Sequence, residues 1–253
     1  MLEIAIIFAL IAATVGAAAF LLAPRMPPEP VVYATEPDRP KAFGYRMAWL
    51  AIRTRDTGRV IESLGLTDTF SANWNNGIGT VYAEDCDDAT IFVSPPVNGW
   101  TFVVGLALPQ PLGKSFVDKT TPLLLDLGNR FIEVQYYLAY PDLDAFAWVR
   151  VIDGRLARAY AINDVGVIWN KGRQTKDEKT LGTKLYEMRG VMKKAGDAAG
   201  ELVLYPTEQH IMKLAAKWSL DPTEIENLVA LPGLGTLGKA PSHWRPERLR
   251  RVG

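Results

Sequence analysis

The chain has 253 residues, with 28 Lys+Arg against 28 Asp+Glu and a formal net charge of zero, and 48% of it is hydrophobic. That balance excludes a nucleic-acid surface spread over the whole protein, because phosphate neutralisation needs an excess of Lys and Arg. One cysteine, Cys86, excludes an intramolecular disulfide framework and multi-cysteine zinc or iron–sulfur sites, and two histidines, His210 and His243, leave little for a His-based metal centre.

Residues 4–22 read IAIIFALIAATVGAAAFLL, nineteen positions without a charge. As a helix they would span about 28 Å, close to the hydrocarbon thickness of a bilayer. Pro24 and Pro27-Pro28 stop such a helix. The only charge before the run is Glu3, so the basic n-region of a signal peptide is missing, although Ala17, Ala18 and Ala19 resemble a cleavage site. We therefore expect an uncleaved transmembrane helix within residues 1–23. Arg25, Arg39 and Lys41 follow it and no Lys or Arg precedes it, which places the C-terminal side in the cytoplasm, with the periplasm as the alternative. Residues 24–41 are proline-rich and predict an extended, semi-rigid linker.

Residues 42–231 carry globular patterning. Residues 47–52 are a short apolar run, expected as a buried strand. Asp56 reads as the cap of a helix bearing Val60, Ile61 and Leu64 and ending at Gly65. A short helix is expected over residues 74–82, weakened by Gly77 and Gly79. Residues 90–94 and 101–106 are rich in β-formers and flank an Asn98-Gly99 turn. Thr121-Pro122 has the cap and first-turn chemistry of a helix through Leu124, Leu125 and Leu127. Residues 145–152 and 155–162, joined by Asp153-Gly154, predict a type I′ hairpin, and residues 165–169 a third antiparallel strand. Residues 206–218 have helical spacing, and Asp221-Pro222-Thr223-Glu224 predicts a further capped helix to about Leu231. Strands that come as hairpins define an α+β class with a mainly antiparallel sheet and flanking helices.

The segments MAWLAIRTRD (47–56), ANWNNGI (72–78), FVSPPVNGWTFVVG (92–105), AWVRVIDGRLARAYA (147–161) and KWSLDPTEIE (217–226) resemble, in that order, a group of bacterial proteins of unassigned function. The resemblance implies a bacterial source and one compact domain over residues 43–230. It carries no activity and no catalytic residue.

Motif chemistry is sparse. Residues 233–238 match G-x-G-x-x-G, but the segment before them reads as helix and Pro241 follows, so a flexible connector is expected, with residues 232–253 forming a connector and basic tail. The acidic run at residues 84–88 lacks the spacing and glycine of an EF-hand loop and reads as a solvated loop; its carboxylates disfavour a Cys86 thiolate. Ser94 lacks a nucleophile elbow, and Glu133, Asp142 and Asp144 have no spacing that demands acid–base work. No catalytic residue, metal ligand or cofactor is nominated. Of seven tryptophans, Trp74 and Trp100 sit beside Asn-Gly turns, so Trp74, Asn76, Asn98 and Trp100 are the candidate partner-facing surface. Arg245, Arg248, Arg250 and Arg251 are candidates for contact with anionic headgroups. The expectation is a protein-interaction domain, possible in an immunity-type form that binds a toxin, tethered to the bacterial inner membrane through residues 4–22, with no nucleic-acid partner. The alternative is a carboxylate-based hydrolase.

Overall fold

Alternate residues of the strand Met47–Ile52 (β1) enter two different cores: Met47, Trp49 and Ala51 one, Ala48, Leu50 and Ile52 the other. All six side chains are buried. An antiparallel sheet often keeps one face wet and reads as alternating polar and apolar positions. Here both faces are covered, which explains the unbroken apolar run. In the computed structural model, residues 36–84, 86–111, 118–164, 166–181 and 206–244 are described. The apolar run at 4–22, most of the linker and the arginine tail lie outside them.

The remaining strands are Thr67–Asn73 (β2), Thr90–Val93 (β3), Thr101–Val104 (β4), Glu133–Tyr140 (β5), Ala145–Ile152 (β6), Arg155–Asn163 (β7), Gly166–Lys171 (β8) and Leu234–Lys239 (β9). With β1 they form one nine-stranded sheet in the order β2-β9-β3-β4-β1-β5-β6-β7-β8. Every pairing is antiparallel. The helices are Thr57–Leu64 (α1), Trp74–Tyr82 (α2), Thr120–Arg130 (α3), Lys176–Thr180 (α4) and Glu208–Trp218 (α5). Helices α2 and α5 cover the Trp49 face, and α1 and α3 cover the Leu50 face. The α+β class with a mainly antiparallel sheet and flanking helices is therefore the architecture of the described residues.

Local chemistry accounts for several boundaries. The Asp56 carboxylate accepts from the Arg59 amide at 2.9 Å, and Gly65, at φ 63°, closes α1 in the left-handed conformation. Asp153 and Gly154 have φ 48° and 71°, the paired positive values of a type I′ turn, and they join β6 to β7, whose pairing shifts register once, between Arg150 and Val151. Asn98 and Gly99 (φ 49° and 85°) do the same beyond β3 and β4.

Three expectations are corrected. The glycine-rich stretch is not a connector but strand β9, inserted between β2 and β3. Gly235 permits this: a Cβ there would lie 2.5 Å from the Val93 carbonyl oxygen and 2.6 Å from the Phe92 ring. The helix from Asp221 to Leu231 does not form. Asp221 caps only a turn, accepting from the Thr223 amide at 2.9 Å; a 3₁₀ turn follows at Ile225–Asn227, and Leu228 is already extended. Only Ile225 of that turn is buried, so no apolar stripe holds a longer helix to the core. Finally, Thr121 does not cap α3; Asp118 accepts from the Thr121 amide at 2.8 Å, one turn earlier than the Thr-Pro signal suggests.

Candidate functional site

Helix α2 owes its start to three acceptors. The Asp38 carboxylate accepts from the Trp74 and Asn75 amides at 2.6 and 2.9 Å, and the Asn73 side chain accepts from Asn76 at 3.0 Å. A carboxylate at this terminus also complements the helix dipole. Two glycines on this helix then do opposite things. A Cβ on Gly77 would lie 2.2 Å from the Phe92 ring, so its absence lets the helix sit directly on the sheet. A Cβ on Gly79 would meet nothing within 4 Å.

Gly79 opens a cleft of about 390 Å³ between α2 and the chain entering β1, lined by Lys41, Phe43, Tyr45, Asn75, Ile78, Tyr82 and Thr223 among others. Its walls are mostly apolar and aromatic. The Tyr82 hydroxyl is engaged inside the wall, donating to the Tyr45 carbonyl at 2.8 Å and accepting from the Gly44 amide at 2.9 Å. Burial pushes the Tyr82 phenol up to about 12, so it stays neutral near pH 7. Lys41 forms a half-exposed ion pair with Glu226 at 3.2 Å. The cleft thus presents apolar surface with one paired cation at its rim.

Two polar networks lie under the same face of the sheet. Glu133 is buried and accepts from Arg150 Nε at 2.7 Å and Gln135 at 2.8 Å, with Arg53 at 3.7 Å. Gln135 also donates to the Trp218 carbonyl at 2.9 Å and accepts from the Tyr137 hydroxyl at 2.8 Å, tying β5 to the end of α5. Glu178 and Arg158 are 1% and 2% exposed and meet at 2.8 Å. Trp148 Nε1 donates to the same carboxylate at 2.8 Å, and the Thr175 amide donates at 2.6 Å. Arg158 Nη1 reaches the Asn170 side chain and the carbonyls of Ala159 and Lys171. Burial of Glu133, Arg158 and Glu178 among these partners makes the networks structural ties between strands and helices.

The carboxylates singled out in the sequence are not brought together. Asp142 is exposed and pairs with Arg46 at 3.1 Å. Asp144 sits in the left-handed turn at φ 48°. Glu133 stands at the other end of β5, roughly 25 Å away along the strand. Ser94 is buried, donating to the Pro95 carbonyl at 2.8 Å and accepting from the Phe102 amide at 2.9 Å. His210 Nδ1 accepts from the Thr207 amide at 3.0 Å, and partial burial lowers its pKa. Among the described residues no three of His, Cys, Asp and Glu gather as a metal site. The glycines of G-x-G-x-x-G lie within a sheet strand, not in a loop leading to a helix N-terminus.

The partner-facing expectation for Trp74 and Trp100 is corrected. Trp74 is 0% and Trp100 8% exposed, both in the core on the Trp49 face. Trp74 packs edge-on against Phe92 at 5.7 Å between ring centroids. Asn76 is half-buried and Asn98 exposed. Among the described residues the indole nitrogens of Trp49, Trp74 and Trp218 find no hydrogen-bond partner. The walls of the cleft come from residues 41–45, α2 and Thr223, which are distant in sequence, and Gly79 inside a helical pattern is its sequence signal. No helix among the described residues is long and apolar enough to cross a membrane. Comparison with protein-family models, with curated proteins and with solved structures finds no match.

Proposed function

We propose that this chain is a binding domain tethered to the bacterial inner membrane by residues 4–22, with its folded part on the cytoplasmic side, and that it engages a protein partner. The observation that carries the binding reading is the cleft beside α2. Its phenol is engaged internally and its one lysine is paired, so it suits an apolar anchor side chain better than a charged metabolite. An immunity-type role, in which the anchor belongs to a toxin, is one specific form. The nineteen-residue uncharged run and the bias of Arg25, Arg39 and Lys41 support tether and side.

Gly79→Glu tests the binding reading, because the helix has open space there and the new charge occupies the cleft. Tagged full-length wild type and variant are purified in mild detergent, and the accompanying proteins are compared. A protein retained by wild type and lost from the variant is the expected result. An unchanged set of partners, with the variant folded, removes the cleft as the binding surface. For the tether, carbonate extraction should leave the full chain in the membrane pellet; a soluble chain starting after Ala19 would refute it.

A further inference from the structure

Side chains from two helices hold the turn that leads into β1. The Tyr82 hydroxyl of α2 accepts from the Gly44 amide at 2.9 Å and donates to the Tyr45 carbonyl at 2.8 Å. The Glu208 carboxylate of α5 accepts from the Arg46 amide at 3.0 Å. Arg46 has φ 51°, a left-handed conformation that disfavours a residue with a Cβ, so the turn needs holding. Tyr45, between the two attachments, lines the cleft. One wall of the cleft therefore depends on the first turn of α5, whose first helical residue is Glu208.

That first turn is closed by a histidine. His210 Nδ1 accepts from the Thr207 amide at 3.0 Å, and the Thr207 hydroxyl lies 3.0 Å from the same nitrogen. Three residues after the cap is where Glu or Gln reaches back to the cap amide in a capping box. A backbone N–H only donates, so Nδ1 must offer a lone pair, and the proton of the neutral ring sits on Nε2. A protonated ring carries a hydrogen on both nitrogens and loses this bond. The surroundings also oppose protonation. Partial burial and Lys213, one turn along, lower the His210 pKa below its ordinary value of about 6.5. A cation at a helix N-terminus also opposes the helix dipole. Glu208, in the same turn, acts the other way, and its carboxylate is engaged with the Arg46 amide.

Among the described residues the charges on neighbouring elements have partners or lie further off. The Arg46 side chain pairs with Asp142 at 3.1 Å. On α4, which packs on α5, exposed Lys176 and Lys179 stand beside half-buried Asp177, and Glu178 is held by Arg158. Glu133 and Arg150 pair at 2.7 Å near Trp218, the far end of α5, about 12 Å along the helix from His210.

We infer that His210 is a pH-sensitive latch on the cleft: its protonation releases the Thr207 amide, frays the first turn of α5 and, through Glu208 and the Arg46 amide, loosens the Tyr45 wall. The inference rests on the cleft reading above and adds its regulation, since a partner's anchor would sit against this wall. The folded chain holds the ring neutral more strongly than the unfolded chain does. The latch is therefore complete above the ordinary histidine value and is lost as pH falls through the lowered folded value.

The test is hydrogen exchange of the full chain in mild detergent, without partner, at about pH 7.5 and about pH 5, on either side of histidine titration and corrected for intrinsic rates. The chain has two histidines, so labelled imidazoles give two titration curves, and His243→Asn leaves that of His210. We expect His210 to titrate below about 6.5. Protection over residues 207–211 and 43–47 should fall together at the lower pH by about fivefold, the worth of one capping hydrogen bond, while β5 to β7 keep theirs. His210→Gln supplies an acceptor that does not titrate, and should hold both segments at both pH values. His210→Ala should lower both segments at both pH values, and Glu208→Ala should lower residues 43–47 at both. Acid loosening that persists in His210→Gln, or titration of His210 at or above the ordinary value, overturns the latch. A loss confined to residues 207–211 overturns the coupling to the wall. Because no partner enters the measurement, its failure leaves the binding reading to the Gly79→Glu comparison, and failure of that comparison leaves the latch standing.

Discussion

The two wings of the sheet are built differently. From β5 to β8 each strand pairs with the next in sequence, through the 3₁₀ turn Pro141–Leu143, the Asp153-Gly154 turn and a short link to β8. Side chains hold this wing: Trp148 stacks on Tyr160 at 4.5 Å, and Glu178 gathers Arg158 and Trp148 beneath it. On the other wing β9 returns from residue 234 to pair with β2 and β3. That wing depends on missing side chains, since Gly77 and Gly235 make room for one ring, Phe92. One wing closes local contacts held by polar side chains; the other closes long loops held by close backbone approach. The wings should therefore fail to different substitutions.

The largest expected effect is on the β5–β8 wing. Arg158→Met removes the guanidinium 2.8 Å from the Glu178 carboxylate, which is 1% exposed and to which Trp148 and the Thr175 amide still donate. Removing one partner of a buried pair costs about 3–5 kcal/mol. Thermal unfolding of the full chain in detergent should show a fall of many degrees, and Arg158→Met with Glu178→Leu should recover much of it. A loss below about 1 kcal/mol for the single variant would mean that stacking and strand pairing, not the ion pair, hold this wing.

Gly154→Val comes next. At φ 71° a β-branched residue is strained, and its Cβ would also meet the Asn129 side chain at 2.6 Å. We expect a loss of about 1–3 kcal/mol. Asp153→Asn, which tolerates the same conformation, should be nearly neutral. Equal melting of the valine variant and wild type would show that the β6–β7 pairing does not depend on its turn.

The contrast between the wings also explains what could be read in advance. The β6–β7 hairpin is legible because its turn residues, alternation and partner strand all fall within nineteen residues, 145–163. The first capped helix is legible because Asp56 and Gly65 bracket it. Strand β9 is not, because three glycines in residues 233–238 lower β-propensity and its partners are far away in sequence. Asp221 shows the limit of a local signal: the cap chemistry forms, but no apolar stripe extends the helix. The burial of Trp74 and Trp100 is not legible because a neighbouring Asn-Gly pair reports a turn, while the fold decides which way the ring beside it points.

The smallest effects isolate the glycine-dependent wing, and both arise in α2. Gly77→Ala gains helix propensity of about 1 kcal/mol. It also drives a methyl to within 2.2 Å of the Phe92 ring, which is fully buried and touches Trp74 edge-on. Overpacking of this kind costs about 1–3 kcal/mol, so a net loss is expected. Gly79→Ala makes the same backbone change two residues along, where the methyl meets nothing within 4 Å. Only the entropic and propensity gain remains, and the variant should be more stable by about 0.5–1 kcal/mol. The pair is its own control, since both substitutions add one methyl to one helix. Opposite signs in denaturant midpoints, with an unchanged slope, would confine the requirement for glycine to the face that touches the sheet. If both variants lose stability, α2 needs backbone freedom along its length and Phe92 is not the cause. If both gain, the ring shifts at little cost, and the close approach of α2 to β3 does not govern that wing.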